Sequence, residues 1–465
     1  MSTYAGHPPL APDLGAAGST LAAIRAADPA TDAWPHTARA LPWALAGFLV
    51  MLMLVPFHAI ALPISLPLDA TLDRFMLGGM AGLWLAALLI VGGPASPRVR
   101  LTGMHAAVGA FFCLAILSVL ANNTILMNLG ELQVSVKQVA LLASYGLFFC
   151  LVASIIRPAE VPRFISLMVG LAAILAIMTN LEYRLEINPF YDWTSTLLGP
   201  LVQVPLDLHT IDYSGRTTVY ASMEHPLELA LVLNLAVPFA LVSVLEATER
   251  GKRMARLALT GLLFAGIFAT QRKTGLLASG ASVIVLLAYR PRALRQMLPI
   301  AIGLIVILHV LAPGAIGNLR QQLQPDRLTG TNSTQQRSND YDAVAPDIRT
   351  HPALGRGYGS YDHLKYRILD NQYLGLLVTV GIVGTASYLL LLISGMVAAH
   401  RARKRARAVP PHLMAAASGS IASFVVGSAL FDVLSFAHVT YMLFFVLGLV
   451  VAAQQPERDE EPGLV

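Results

Sequence analysis

Three segments of the sequence place ionisable side chains beside long apolar runs, where such groups are costly. In the first, GRTTVYASMEHPLELALVL, Arg216 precedes an apolar run and Glu224 and His225 lie at its start. Glu228 follows about one turn further in, and a charge at that depth usually faces a wet cavity. Glu224 and His225 can accept a proton, and Arg216 can bind an anion. The alternatives are an arginine that contacts lipid headgroups and a His-Pro pair that only begins a helix.

The second segment, TQRKTGLLASGASVIVLL, places Arg272 and Lys273 between two apolar runs. Two cations in a tight turn between membrane helices can bind an anion at the membrane surface, and a phosphate or pyrophosphate fits that position. Simple snorkelling of both side chains to the interface is the alternative. This turn is therefore a candidate diphosphate-binding site.

The third segment, HPALGRGYGSYDHLKYRILDNQYLGLL, combines a glycine-rich loop with a polar helix start. The glycines around Arg356 permit a tight loop with close backbone approach. Asp370 is predicted as the N-cap of a long apolar helix, with Asn371 and Tyr373 in or near its first turn. Capping and catalysis are compatible, because a helix N-terminus favours a negative charge. Asn371, Tyr373 and Arg356 are candidates for positioning a substrate.

The elements that position these residues are predicted to be membrane helices. Of the 465 residues, 55% are hydrophobic and 13% are charged, whereas a soluble domain is about 25% charged. This composition excludes a soluble enzyme, a disordered chain and a disulfide scaffold. The fold class is predicted as all-α, a polytopic bundle of about twelve transmembrane helices. They are predicted at 41–57, 75–93, 103–121, 138–156, 162–180, 222–245, 257–271, 274–289, 297–313, 372–394, 412–431 and 436–453.

Basic residues between these helices predict the orientation of the bundle. They recur in alternate loops, which all face the cytoplasm if the helix count is even. We therefore expect flexible cytoplasmic tails at 1–40 and 454–465, a transmembrane domain at 41–453, and outer loops at about 181–221 and 314–371, the second partly helical. No cleavable signal peptide is visible. The basic residues are Arg98, Arg100, Arg157, Arg163, Arg250, Lys252, Arg253, Arg256, Arg290, Arg292, Arg295, Arg401, Arg403, Lys404, Arg405 and Arg407.

The order of the motifs, over about 216–392, resembles the bacterial O-antigen ligase and Wzy-type polysaccharide polymerase family. That order is an outer-loop arginine with His-Pro at a span start, an R-x-x-G-L turn, a long loop ending in H-P-x-x-G-x-G, and D-N-x-Y-L before G-I-x-G. The family's His-Asn-x-x-Leu motif falls on Asp370 to Leu374, so an aspartate stands here in place of the histidine. This departure favours a polymerase over a ligase.

The resemblance implies a multi-span, GT-C-like glycosyltransferase at the outer face of the bacterial inner membrane. Such enzymes move a glycan from a polyprenyl diphosphate onto a hydroxyl of lipid A–core, in ligases, or of a lipid-linked repeat unit, in polymerases. The diphosphate would be bound by Arg216 and Arg272, with Lys273 beside them. We expect no cofactor and no metal, because the predicted outer loops contain no His/Cys cluster.

Three acidic or basic groups compete for the proton of the acceptor hydroxyl. Asp370 is ranked first, from the family position and the helix start, and Glu224 and His225 follow. A free aspartate has a pKa of about 3.9 and is a weak base unless its site raises that value.

Three other functions remain open from the sequence. A ligase would use a separate acceptor. A transporter of lipid-linked sugars would carry ionisable residues along its spans, and here Glu228 and Asp432 are the exceptions in apolar runs. A scaffold in an export complex is the third. Expected partners are the lipid bilayer and a polyprenyl diphosphate-linked oligosaccharide, and a chain-length regulator and an export complex are compatible with the polymerase function. The net charge of +5 does not indicate nucleic acid.

Overall fold

The computed structural model describes residues 40–60, 71–90, 97, 99–204, 218–291, 332–361 and 365–455. These residues form helices and turns, with one isolated β-bridge between Ile60 and Val202. The helices are α1 Ala40–Leu54, α2 Leu72–Ile90, α3 Gly103–Ala121, α4 Asn123–Leu129, α5 Leu132–Ile155, α6 Val161–Leu185, α7 Pro189–Leu198, α8 Pro226–Leu245, α9 Arg250–Ala269, α10 Lys273–Tyr289, α11 Asn332–Thr350, α12 Gln372–Thr379, α13 Gly381–Arg405, α14 Pro411–Ser428 and α15 Ala437–Ala452. The all-α prediction is confirmed for this part of the chain.

Several helices are suited to cross a membrane. Among the described residues, six helical segments are long and apolar enough, namely α2, α3, α5, α6 with the turn before it, α8 and α13. Helices α1, α10 and α15 are apolar but shorter. The chain thus has the character of a multi-pass membrane protein, while the described residues do not confirm the predicted count of about twelve spans. The predicted helix 297–313, most of both predicted tails and Arg216 lie outside the described residues.

Helix α8 lies at the centre of the bundle. Buried residues make up 83% of its apolar window, against 17% for α2, which identifies α2 as a peripheral helix of the bundle. Small residues let α14 pack closely on α8, because a Cβ on Gly427 would lie 2.5 Å from the Leu231 side chain. Ser420 Oγ donates a hydrogen bond of 2.9 Å to the carbonyl oxygen of Leu235. Small and hydroxyl residues at helix interfaces are the usual basis of packing in membranes.

The predicted helix 372–394 is broken into α12 and α13 at Val380. Gly381 has φ +67°, and a Cβ there would lie 2.3 Å from the carbonyl oxygen of Ala353. The glycine-rich loop fills the break: Arg356 N donates to Val378 O and Gly357 N to Thr379 O, both at 2.9 Å. These bonds satisfy carbonyls that a helix end leaves without an intrahelical partner. The loop is thereby fixed against the start of α13.

Helix directions separate two ends of the bundle. Asn234 Nδ2 in α8 donates to Gly275 O in α10, and Glu228 in α8 accepts from Val439 N in α15. The starts of α8, α10 and α15 therefore share one end, which we call the site end. At the opposite end, Arg290 pairs with Glu246 where α10 and α8 finish.

Candidate active site

A cavity of about 200 Å³ lies at the site end. It is enclosed by α5, the glycine-rich loop, α12 and the residues 432–436, which follow α14 and are called here the 432–436 turn. A water molecule occupies about 30 Å³ of liquid volume, so the cavity has room for a group of the size of one sugar ring. Its polar and aromatic lining residues include Gln138, Tyr358, Tyr361, Arg367, Gln372, Thr379, Asp432 and Ser435.

The start of α12 forms one wall of the cavity. Asn371 Oδ1 accepts hydrogen bonds from Tyr373 N at 3.0 Å and Leu374 N at 3.3 Å, so Asn371 is the N-cap. The prediction that Asp370 caps this helix is wrong by one residue, because the two side chains have nearly equal capping ability. Asp370 is half-buried, between Leu369 and Asn371, and Leu369 lines the cavity.

The two predicted positioning residues on α12 have structural contacts. Tyr373 Oη donates a hydrogen bond of 2.9 Å to Val425 O, which ties α12 to α14. Asn371 Nδ2 donates to Tyr341 Oη at 3.3 Å. Neither side chain is among the cavity-lining groups. Their role toward a glycan therefore stays a prediction.

Arg356 anchors the glycine-rich loop. Its guanidinium contacts Asp347 at 3.2 Å, the Tyr366 hydroxyl at 2.7 Å and the buried Glu131 at 3.5 Å. The guanidinium also lies 4.8 Å from the centre of the Tyr366 ring. Lys365 Nζ reaches the same Glu131 carboxylate at 2.8 Å. Arg356 thus joins α11 and the loop to the α4–α5 connection. These contacts stabilise the loop, which forms part of the cavity wall.

Arg367 is a cavity residue that the sequence did not single out. Its Nε contacts Asp340 at 3.1 Å and its Nη1 donates to Asn339 O at 3.1 Å, which orients the side chain. The sequence offered one signal, a basic residue three positions before Asp370. Asp432 was predicted as an ionisable group within an apolar run, but it lies in a turn and lines the cavity.

The predicted diphosphate turn is present between α9 and α10. Arg272 occupies the N-cap position of α10, and Lys273 is the first residue of that helix. Gln271 has φ +52°, and its side chain donates to the Tyr183 hydroxyl at 3.0 Å, which fixes the turn against α6. Because Ser423 Oγ in α14 donates to Ala278 O in α10, the turn lies near the end of α14. The positive end of the α10 dipole adds to the two cations.

Glu224 and His225 precede α8 at the same end. His225 Nδ1 accepts a hydrogen bond of 3.2 Å from Leu227 N, so this histidine caps α8. Glu224 N donates to Glu228 Oε2 at 3.0 Å. Glu224 retains solvent exposure, yet desolvation by the surrounding protein, followed by the Glu228 carboxylate, raises the pKa of Glu224 to about 7. Glu228 itself is fully buried and does not face a wet cavity.

The 432–436 turn joins these groups to the cavity. Asp432 and Ser435 line the cavity, while the Phe436 ring lies 5.7 Å from the His225 ring. The structure thus brings Glu224, His225 and the start of α12 close to the 432–436 turn. It places Arg272 and Lys273 at the same end of the bundle. Within the described residues, no group of three or more His, Cys, Asp or Glu side chains could hold a metal ion.

Comparison with known proteins adds one match. Residues 258–389 match a protein-family model described as O-antigen ligase. The predicted resemblance is confirmed by this match, which runs from α9 into α13 and supports glycan processing at a membrane. It includes Arg272, Lys273, Arg356 and Asp370, and leaves Glu224 outside. No curated protein matches the chain.

Proposed function

We propose that this chain, which carries an O-antigen ligase family domain at residues 258–389, is a membrane polysaccharide polymerase. It would transfer a glycan from a polyprenyl diphosphate to a hydroxyl of a lipid-linked repeat unit. The observation that carries this proposal is that Arg272, Lys273 and the cavity beside Asp370 lie at one end of the bundle. Exopolysaccharide, capsule and O-antigen are the products of such a reaction.

The diphosphate would bind at the α9–α10 turn. Departure of a lipid diphosphate develops negative charge on its oxygens, and preorganised cations in a water-poor site stabilise that charge. Arg272, Lys273 and the N-terminus of α10 provide such a site without a metal ion, and Arg216 is proposed as a further cation from the segment before α8. Removal of metal ions is therefore expected to leave the reaction intact.

The acceptor sugar would occupy the cavity. Its hydroxyl oxygen attacks the anomeric carbon of the donor, the bond from that carbon to the diphosphate oxygen breaks, and the hydroxyl proton passes to a carboxylate. Asp370 and Glu224 are the two carboxylates proposed for this chemistry. The transition state has oxocarbenium character, so one carboxylate can stabilise positive charge while the other accepts the proton.

The charges at the opposite end support a periplasmic site in the inner membrane. Arg250, Lys252 and Arg253 lie at the start of α9, and Arg403 to Arg405 lie at the end of α13. Clusters of Lys and Arg mark the cytoplasmic side of membrane proteins. The site end would then face the periplasm, where lipid-linked repeat units meet their acceptors.

The experiment that tests this proposal is product analysis with purified chain in lipid nanodiscs. With a lipid-linked repeat unit as sole substrate, a polymerase yields a ladder of longer lipid-linked products, with or without a chelator. A ligase yields product only when lipid A–core is added. Absence of any glycan transfer under both conditions would contradict the proposal, and loss of the ladder with chelator would contradict metal independence.

A further inference from the structure

A fully buried acid–base pair lies directly beneath the segment that carries Glu224. Glu228 in α8 and His438 in α15 have no solvent exposure, and Glu228 Oε1 lies 3.3 Å from His438 Nδ1. Two apolar residues at such a place would often stabilise a bundle as well or better. Ionisable residues inside a membrane domain are therefore a sign of function rather than of stability.

The Glu228 carboxylate binds two backbone groups, one in the segment before α8 and one in α15. Oε2 accepts from Glu224 N at 3.0 Å, and Oε1 accepts from Val439 N at 3.3 Å. One side chain thus ties the segment before α8 to the start of α15. Because the 432–436 turn immediately precedes α15 and lines the cavity, the same bonds hold Glu224 relative to the cavity wall.

A second set of contacts holds the neighbouring residue Met223. The Tyr191 hydroxyl, on α7, donates to Met223 O at 2.9 Å and contacts His58 Nε2 at 2.8 Å. The His58 ring lies 5.1 Å from the His438 ring. The carbonyl and the N–H of the Met223–Glu224 peptide are therefore held by side chains from α7 and α8, Tyr191 and Glu228. Glu228 contacts His438 directly, and Tyr191 is connected to it through His58.

We propose that Glu228 and His438 are positioning residues that hold Glu224 beside the 432–436 turn of the cavity wall, where Glu224 accepts the proton of the acceptor hydroxyl. This rests on the proposed function. The O–H bond of the acceptor breaks and its proton passes to Glu224. The acceptor oxygen bonds to the anomeric carbon, and the electron pair of the broken bond leaves on the diphosphate. Since Glu224 retains exposure, it can return the proton to water.

The charges around Glu224 support this assignment. Its pKa of about 7 suits a base at neutral pH. Burial is the largest cause of the raised pKa of Glu224, the negative charges of Glu228 and Asp432 raise it further, and His438 lowers it. Further titratable groups approach the cluster from other elements: Tyr191 from α7, His58 from the turn after α1 and Tyr145 from α5.

The pH profile of turnover distinguishes positioning and tuning from mere packing. A base must be deprotonated, so wild-type turnover should rise with pH and reach half its maximum near pH 7. E228Q removes a neighbour that raises the pKa of Glu224 and should move this half-point lower, while H438N removes a neighbour that lowers that pKa and should move it higher. If the two variants only disturbed packing, both would lower turnover, and their half-points would not move in opposite directions.

Y441F is the matched control on the same helix. Tyr441 lies one turn from His438 and donates a buried hydrogen bond of 3.0 Å to Asp73, away from Glu224. Its variant should leave the half-point unchanged. Glu224 is exposed, so E224Q is expected to fold even if the buried variants do not, and it should remove the rise near pH 7.

The outcomes separate this inference from the proposed function. If the wild-type protein yields no product ladder, the polymerase proposal is wrong. A wild-type ladder together with an unaltered pH profile in E224Q, or with half-points that stay in place in folded E228Q and H438N, would overturn the assignment of Glu224 and its positioning pair alone.

Discussion

Replacement of Arg272 by alanine is expected to reduce glycan transfer by about 100-fold or more. Arg272 occupies the N-cap position of α10, where the helix dipole and Lys273 already favour an anion. Loss of a preorganised donor to the leaving diphosphate removes stabilisation that a water molecule does not replace. The measurement is kcat/KM for a lipid-linked repeat unit in nanodiscs.

Two further variants separate charge from geometry in this prediction. Arg272→Lys keeps the charge but loses the planar fork, so it should recover turnover only in part. Arg253→Ala is the control, because Arg253 is an exposed cation at the opposite end of α9. Its turnover should stay close to that of the wild type. If the Arg272→Ala variant inserts normally and keeps wild-type turnover, Arg272 does not bind the diphosphate.

Replacement of Asp370 by asparagine is expected to lower turnover by about 100-fold while donor binding stays intact. Asparagine keeps the size and hydrogen-bonding ability of the side chain but removes the charge that would stabilise the developing oxocarbenium ion. Because Asn371 caps α12 through its own side chain, the helix start should survive this change. Turnover and donor affinity are to be measured on the same preparation.

Asp342→Asn is the control for the Asp370 prediction. Asp342 is an exposed carboxylate on α11, in the same stretch of chain. It should retain wild-type turnover, which separates the effect of one carboxylate from a general change in the charge of this region. If Asp370→Asn retains near-normal turnover, Asp370 has no catalytic role and is only the residue next to the helix cap Asn371.

The helical fold could be predicted because apolar runs in a membrane leave the backbone few alternatives. The separation of α9 from α10 followed from Arg272 and Lys273 alone. The break at Val380 did not, because Gly381 takes φ +67° to accommodate the carbonyl of Ala353, a contact from another segment. The short helices α4 and α7 were missed for a related reason, since both lie in connections without a long apolar run.

The candidate site could be predicted only in part from the sequence. Glu224 was recognised as a possible base, but its raised pKa depends on burial and then on Glu228. Glu228 in turn contacts His438, from a distant part of the chain. In the sequence, Arg367 cannot be distinguished from other loop cations. In the structure, Asp340 orients it beside the cavity. Local spacing identifies residue types suited to the chemistry, whereas long-range packing decides which of them share a cavity.

The most direct test of a shared site is a structure of the protein with a non-hydrolysable polyprenyl diphosphonate sugar bound. We predict diphosphonate oxygens within about 4 Å of Arg272 or Lys273, and the sugar in the cavity between Asp370 and Glu224. An analogue bound away from the α9–α10 turn, or a barrier of packed side chains between that turn and the cavity, would contradict it.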